Sequence, residues 1–296
     1  MIPNGTSASD AASDNYGVIL LYHRFDDNRY PSTSTSVDQL KKHINILTRN
    51  GFKFATLEEF LHATRCGFKR KLALITIDDG YRSTLRAYNV LKKLKIPFVL
   101  FLYMEAIDRY PDFLTSTQIK EMLKSGLLDL GIHSYSHPRA SNFSEEDIRK
   151  AIKRFHKIFG YTPNIYSYPY GEYTPQIIQI VKRFFSYAFT QDIGTVSNCT
   201  NPYLIPRIPA VGSWASENFL ETQIKIRPLC IKEELPISYN AIKDFDRCEI
   251  YTSTKGWKPI KTPKDLDINP TKRERVGIKC WKQKKVYQRI WLVIPP

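Results

Sequence analysis

Apolar residues gather in short unbroken runs separated by amphipathic stretches. Leu72-Ala73-Leu74-Ile75-Thr76-Ile77 and Leu127-Leu128-Asp129-Leu130-Gly131-Ile132 have the length of buried strands. Extending this reading places strands near 18–22, 72–77, 97–103, 127–132, 165–168, 186–190 and 206–210. Between them, helical stretches fall near 37–49, 56–64, 83–95, 116–125, 144–159, 174–185 and 216–225. Such alternation predicts an α/β chain, an irregular (β/α) barrel of about seven strands. Ser144 followed by Glu145-Glu146-Asp147 is a helix start, with a capping hydroxyl and an acidic first turn. Pro97 stands where a strand opens and a missing N–H is tolerated.

After Arg227-Pro228 the period changes. Val286 to Ile294 alternates, and breaks at Thr254-Lys255-Gly256 and Asn269-Pro270 suggest a few antiparallel strands. Three domains are therefore expected: a flexible tail over 1–16, a barrel over 17–227 and a small β-rich region over 228–296. The last holds Trp257, Trp281 and Trp291, read as packing residues of a small β appendage that also shapes one end of a substrate groove.

Composition narrows the function. With 296 residues and 42% hydrophobic content, the chain can bury one large core. No run approaches the roughly 20 apolar residues that span a bilayer. Residues 1–16 lack the apolar centre of a signal peptide, which leaves either a cytoplasmic location or an export signal removed or replaced. Five scattered cysteines, Cys66, Cys199, Cys230, Cys248 and Cys280, argue by their odd number against a disulfide framework. The net charge of +15 points to anionic surroundings. Nucleic acid is not the expected partner, because the lysines are dispersed over helix faces and no nucleic-acid-binding motif occurs. An anionic envelope, phospholipid headgroups or a phosphorylated glycan fits better.

Candidate chemistry lies where two strands end. Thr76-Ile77-Asp78-Asp79-Gly80 and His133-Ser134-Tyr135-Ser136-His137-Pro138 both follow apolar runs, at the C-terminal mouth where such folds place their sites. Two imidazoles and one carboxylate suit a divalent metal that keeps open positions. Consecutive residues leaving a strand point to different sides, so one aspartate can bind metal while its neighbour serves as base. Gly80 lets the chain turn away. His43, His62 and His156 lie in helical stretches, read as solvated or half-buried, and take no role.

Two further segments, Leu20-Leu21-Tyr22-His23 and Tyr166-Ser167-Tyr168-Pro169-Tyr170-Gly171, also end strand-like runs. With these, the chain resembles the polysaccharide deacetylases with a NodB homology domain, carbohydrate esterase family 4, over roughly residues 17–226. Thr76 to Asp79 matches that family's T-F-D-D motif with Ile for Phe, and His133 to His137 matches its H-[ST]-x-x-H motif. The likeness is closest in style to the branch that deacetylates exported poly-N-acetylglucosamine.

The resemblance implies a NodB-type barrel and an N-acetylated glycan substrate. It makes Asp78 the general base, and Asp79, His133 and His137 the ligands of a divalent metal, foremost zinc. Ser134 would brace a histidine ligand, and the Tyr170 backbone N–H would stabilise the oxyanion. The family's base-orienting arginine is replaced here by Ser167, and Arg207 is the substitute expected. The late histidine that usually protonates the leaving group has no counterpart, and His23 is the remaining histidine on a first-strand motif. The resulting expectation is a metal-dependent carbohydrate N-deacetylase, slow on amides and faster on activated acetyl esters, of the cell envelope. A glycan-binding pseudoenzyme is the alternative. A non-haem iron oxygenase, which also uses two histidines and a carboxylate, is disfavoured by the second aspartate and the barrel context.

Overall fold

The computed structural model describes residues 15–231, 237–268 and 270–294. Seven parallel strands form a curled sheet: β1 (Gly17–Tyr22), β2 (Leu72–Ile77), β3 (Phe98–Leu102), β4 (Leu128–Ile132), β5 (Ile165–Ser167), β6 (Tyr187–Phe189) and β7 (Ile208–Pro209). Their order is β7-β1-β2-β3-β4-β5-β6, and a two-residue strand, Lys53–Phe54, pairs beside β2. Every residue of β1, β2 and β3 is buried, which explains their unbroken apolar sequences. Residues of alternating parity serve two clusters. Val18, Leu20, Ala73 and Ile75 pack with the surrounding helices. Ile19, Leu74, Val99, Phe101, Ile165 and Phe189 make the inner cluster.

The segment that carries β7 draws the two sheet edges together. Ile205 bridges Phe189 of β6, and three residues later Ile208 pairs with Leu20 of β1. Arg207 therefore lies between two paired residues, fully buried at the closure of the barrel.

Helices α1 (Val37–Arg49), α2 (Leu57–Cys66), α3 (Thr84–Leu94), α4 (Ser116–Leu123), α5 (Glu145–Phe159), α6 (Pro175–Val181) and α7 (Glu217–Gln223) fall where the periodicity put them, to within a few residues. Ser144 caps α5 as expected, its hydroxyl accepting from Asp147 N–H. Of the tail, only Asn15 and Tyr16 are described. Tyr16 is core, and its hydroxyl donates to the Ile224 carbonyl at 2.5 Å.

The β-rich region is a five-stranded sheet of β8 (Arg227–Pro228), β9 (Arg247–Thr252), β10 (Gly256–Pro259), β11 (Glu274–Lys282) and β12 (Lys285–Val293), ordered β8-β12-β11-β9-β10. Thr254-Lys255-Gly256 forms the β9–β10 turn, whereas the second expected break includes Asn269, outside the described residues. One face packs Ile250, Ile278, Cys280 and Trp291 into its own small core.

Two sequence expectations are corrected. Cys199–Cys230 and Cys248–Cys280 are disulfides, and Cys66 alone is free. An odd count requires only one spare thiol, and both pairs, 31 and 32 residues apart, are juxtaposed by the fold rather than by local spacing. His43 is not solvated: it is fully buried, with Nδ1 against the Tyr22 hydroxyl at 2.8 Å and Nε2 against the Ala215 carbonyl at 2.8 Å. It faces inward on α1, a position amphipathic spacing alone leaves ambiguous. His62 and His156 are exposed, as expected. Among the described residues no helix is long and apolar enough to cross a membrane.

Candidate active site

The C-terminal ends of β2, β4 and β5 bring the motif residues together. His133 Nε2 and His137 Nε2 lie 3.2 Å apart, and Asp79 Oδ1 is 3.4 Å and 3.3 Å from them. Four-coordinate tetrahedral binding with bonds of roughly 2.0–2.1 Å places neighbouring donor atoms about 3.3–3.4 Å apart, so this triangle has the edge length a zinc-sized ion needs. Asp79 Oδ1 is buried with no hydrogen-bond partner. A buried carboxylate oxygen without a donor is costly, and a cation among these three groups would satisfy it. The donor set fits a divalent metal.

The neighbours hold these groups in ligand form. His133 Nδ1–H donates to the Ser167 carbonyl at 2.8 Å, which leaves the Nε2 lone pair facing the triangle. Burial pushes the His133 pKa down to about 4, against the pull of Asp78, so the ring is neutral at pH 7. Ser134 Oγ accepts from His137 N–H at 2.8 Å and so braces the second histidine. Asp79, Ser134, His137 and Tyr170 all have positive φ (73°, 67°, 55° and 56°). Such angles in non-glycine residues cost free energy and persist where surrounding contacts enforce them. Here they turn three separate loops inward over one point.

Asp78 is fully buried behind this triangle, with Oδ2 3.9 Å from His133 Nε2. Arg207 grips it with two parallel bonds, Nη1 to Oδ1 at 2.7 Å and Nη2 to Oδ2 at 2.8 Å. The guanidinium also donates to Ser167 Oγ, Thr76 Oγ1 and the Thr190 carbonyl, while Ser167 Oγ donates to Asp78 at 3.1 Å. Burial works to raise the Asp78 pKa, but Arg207 and His133 outweigh it and hold the carboxyl below its usual range. Asp79 is lowered in the same manner: burial opposes, and His137, His23 and His133 prevail. An arginine distant in sequence thus holds the Asp78 carboxylate, and Ser167 bonds to both.

His23, at the end of β1, lines the same cleft as Asp79, His137 and Tyr170, and its Nδ1 is buried without a partner. The Tyr170 ring packs edge-on to His137, centroids 4.5 Å apart, under the Arg139 guanidinium at 3.7 Å. All eight residues expected from the sequence, His23, Asp78, Asp79, His133, Ser134, His137, Tyr170 and Arg207, meet at one mouth.

Two residues escaped the sequence reading. Asp147, in the first turn of α5, looked like a helix-dipole residue. Its carboxylate instead accepts from Tyr135 N–H at 2.9 Å, Ser136 N–H at 2.9 Å and the Ser136 hydroxyl at 2.5 Å, clamping the loop between the two histidines. Glu172 accepts from Arg139 and from Ala140 N–H, fixing the outer rim. Neither carries a signal beyond its charge and its nearness to a motif.

The cleft above the mouth encloses about 840 Å³, and its opposite wall is the C-terminal sheet, through residues including Tyr251, Trp257, Arg275 and Lys279.

Residues 67–186 match the family model described as polysaccharide deacetylase. The chain is 28% identical over 208 residues to the poly-beta-1,6-N-acetyl-D-glucosamine N-deacetylase of Staphylococcus aureus, spanning 64% of this chain and 72% of that protein. It is 26% identical over 125 residues to the peptidoglycan-N-acetylglucosamine deacetylase of Bacillus cereus, spanning 40% and 43%. Among solved structures, IcaB from Ammonifex degensii aligns with a TM-score of 0.62 at 29% identity, covering 70% of this chain and 97% of that one. A polysaccharide deacetylase from Bacillus cereus shares the fold, with a TM-score of 0.63 at 21% identity over 71% of this chain and 69% of that one.

Proposed function

Because the chain carries a polysaccharide deacetylase domain, we propose that it is a metal-dependent N-deacetylase that releases acetate from N-acetylhexosamine units of a glycan. Relatives named for poly-N-acetylglucosamine and peptidoglycan point to an N-acetylglucosamine polymer. The observation that carries the reading is the convergence of Asp79, His133 and His137 on one point, with the arginine-clamped Asp78 directly behind.

Asp79, His133 and His137 would hold the cation, which would supply Lewis-acid polarisation of the acetamide and of the attacking water. Asp78 accepts the proton of that water. Its two oxygens are fixed by Arg207, so the base has one orientation and needs no reorganisation as charge develops. The Tyr170 backbone N–H, set by the left-handed turn at that residue, donates to the oxyanion. The leaving amine needs a proton, and His23, with a buried unpartnered nitrogen in the cleft, is the donor. The bidentate hold of Arg207 on Asp78 supports an enzyme over a pseudoenzyme, and Asp78 beside the triad is a base that an oxygenase reading leaves without use.

Two disulfides favour an oxidising compartment, which supports a site of action outside the cytoplasm, at the cell envelope. The test is acetate release from a β-1,6-linked N-acetylglucosamine pentamer, before and after dialysis against a chelator and after zinc is restored. The expected pattern is activity, loss and recovery. Full activity in metal-free protein would refute metal dependence.

A further inference from the structure

The C-terminal sheet and its turns lie outside the segment matched by the family model, yet about a third of the residues lining the cleft belong to them. Its two faces differ in kind. Residues of one parity, Ile250, Ile278, Cys280 and Trp291, form the small core. Those of the other parity face the cleft: Tyr251, Trp257, Arg275, Lys279 and Ile290. A sheet face is normally either apolar and covered or polar and open. This one combines half-exposed aromatic rings with cations, opposite a reaction site.

Register explains how the surface is made. Trp257 on β10 pairs with Tyr251 on β9, Tyr251 with Gly277 on β11, and Gly277 with Ile290 on β12, one row across four strands. The rings of Tyr251 and Trp257 stand 5.1 Å apart. A Cβ on Gly277 would lie 3.1 Å from Ile290 Cγ1, which is tight, and 3.4 Å from Trp257 Cη2, an ordinary contact, so the indole lies close over the Gly277 backbone while the missing side chain makes room for Ile290. Lys279, on the same face, sets its Nζ 4.0 Å from the Trp257 ring centroid and makes no ion pair among the described residues. Across the cleft, Trp214 is 47% exposed, with Phe219 packed edge-on to its ring at 4.9 Å between centroids.

We infer that the Tyr251–Trp257–Lys279 surface is a glycan subsite, seating an N-acetylated hexosamine unit that flanks the one being deacetylated. The inference rests on the deacetylase reading above and adds to it where the polymer is gripped. The apolar face of a pyranose ring covers the two aromatics, whose large rigid surfaces give contact area at little entropic cost. Lys279 Nζ donates to a ring hydroxyl or to the acetamide carbonyl. The charge of the wall selects the chemistry. Arg275 is paired with Asp192, which leaves Lys279 as the cation that makes the wall unfavourable for a protonated amino sugar, so the subsite prefers units that have not yet lost acetate. Successive cleavages on one chain would then be spaced.

The full chain with zinc, and the N-acetylglucosamine pentamer as probe, provide the test. Trp257→Ala should lower the ratio of kcat/KM for the pentamer to that for 4-nitrophenyl acetate about tenfold, chiefly through KM, and Lys279→Ala several-fold. An unchanged ratio in both variants overturns the subsite. So does a loss on both substrates alike, which would mark a purely structural role. Calorimetric binding of the pentamer separates the two proposals. If wild type releases no acetate, the deacetylase reading fails, and the subsite then stands or falls on whether Trp257→Ala weakens pentamer binding about tenfold. The fully de-N-acetylated pentamer should bind at least about ten times more weakly at pH 6. Equal binding would overturn the preference for acetylated units.

Discussion

Asp78, His133, Ser167 and Arg207 at the barrel mouth are fully buried and held by directed bonds, beside loops that carry four left-handed non-glycine residues. Across the cleft, Tyr251, Trp257 and Lys279 are half-exposed, joined by ring contacts on regular strands that rest on a small separate core. The first arrangement suits groups whose protonation and direction must not vary, because an ion pair kept from water retains its strength and geometry. The second suits contact with a long, repetitive ligand, for which area matters more than any single angle. Reaction and grip are thus built by different physical means, on stretches of chain that meet only after folding.

The sharpest way to break this contrast is at the triad. His133→Ala should abolish zinc binding, read by metal analysis of dialysed protein, and activity with it. Asp78→Asn should retain the metal and lose about 10²–10⁴-fold in turnover. Metal-replete Asp78→Asn with normal turnover would remove Asp78 from the mechanism.

Arg207 comes next. Arg207→Ala leaves a buried carboxylate without its partner, and a urea melt should register about 3–5 kcal/mol of lost stability. A loss under about 1 kcal/mol would mean that the mouth tolerates water as readily as the wall does.

His23→Ala sharpens the division within the mouth itself. It should slow acetate release from the pentamer by about 10²-fold while changing cleavage of 4-nitrophenyl acetate little, since that leaving group needs no proton. Wild type should already be slower on the amide than on the ester. Equal losses on both would assign His23 to positioning rather than proton donation.

The smallest effect on turnover is expected from the wall. Cys248→Ser opens a cross-strand link that closes 32 residues, and thermal melting should show about 3–4 kcal/mol less stability for that sheet. Hydrolysis of 4-nitrophenyl acetate should persist below the melt. Parallel loss of ester hydrolysis would show that the two regions are not separable.

Legibility in the sequence follows the same line. The barrel was readable because parallel strands buried on both faces leave unbroken apolar runs, as in β2, and because Ser144 marks its helix start. The Asp79, His133 and His137 group was readable because its residues sit in two compact motifs. Arg207 was reachable only as a replacement for a missing residue, since 129 positions separate it from Asp78 and the closure of the barrel brings them together. Asp147 was hidden behind a more ordinary role for an acidic first turn. The disulfides were missed because pairing depends on topology: Cys248 and Cys280 face each other across β9 and β11, which spacing does not reveal. The wall was visible as alternation, but which parity faced the cleft depended on how the sheet docks through buried Tyr173, whose hydroxyl joins Asp192 to the backbone N–H of Leu292.

Cys199–Cys230 fastens the loop beyond β6 to the chain just past β8, at the root of the wall. A sheet that melts on such a leash cannot drift away. Its local concentration over the mouth stays near the millimolar range of a short tether, whatever the dilution of the protein. Re-docking is then a first-order event, so a molecule far from any other copy can lose its wall to heat or shear and recover it alone.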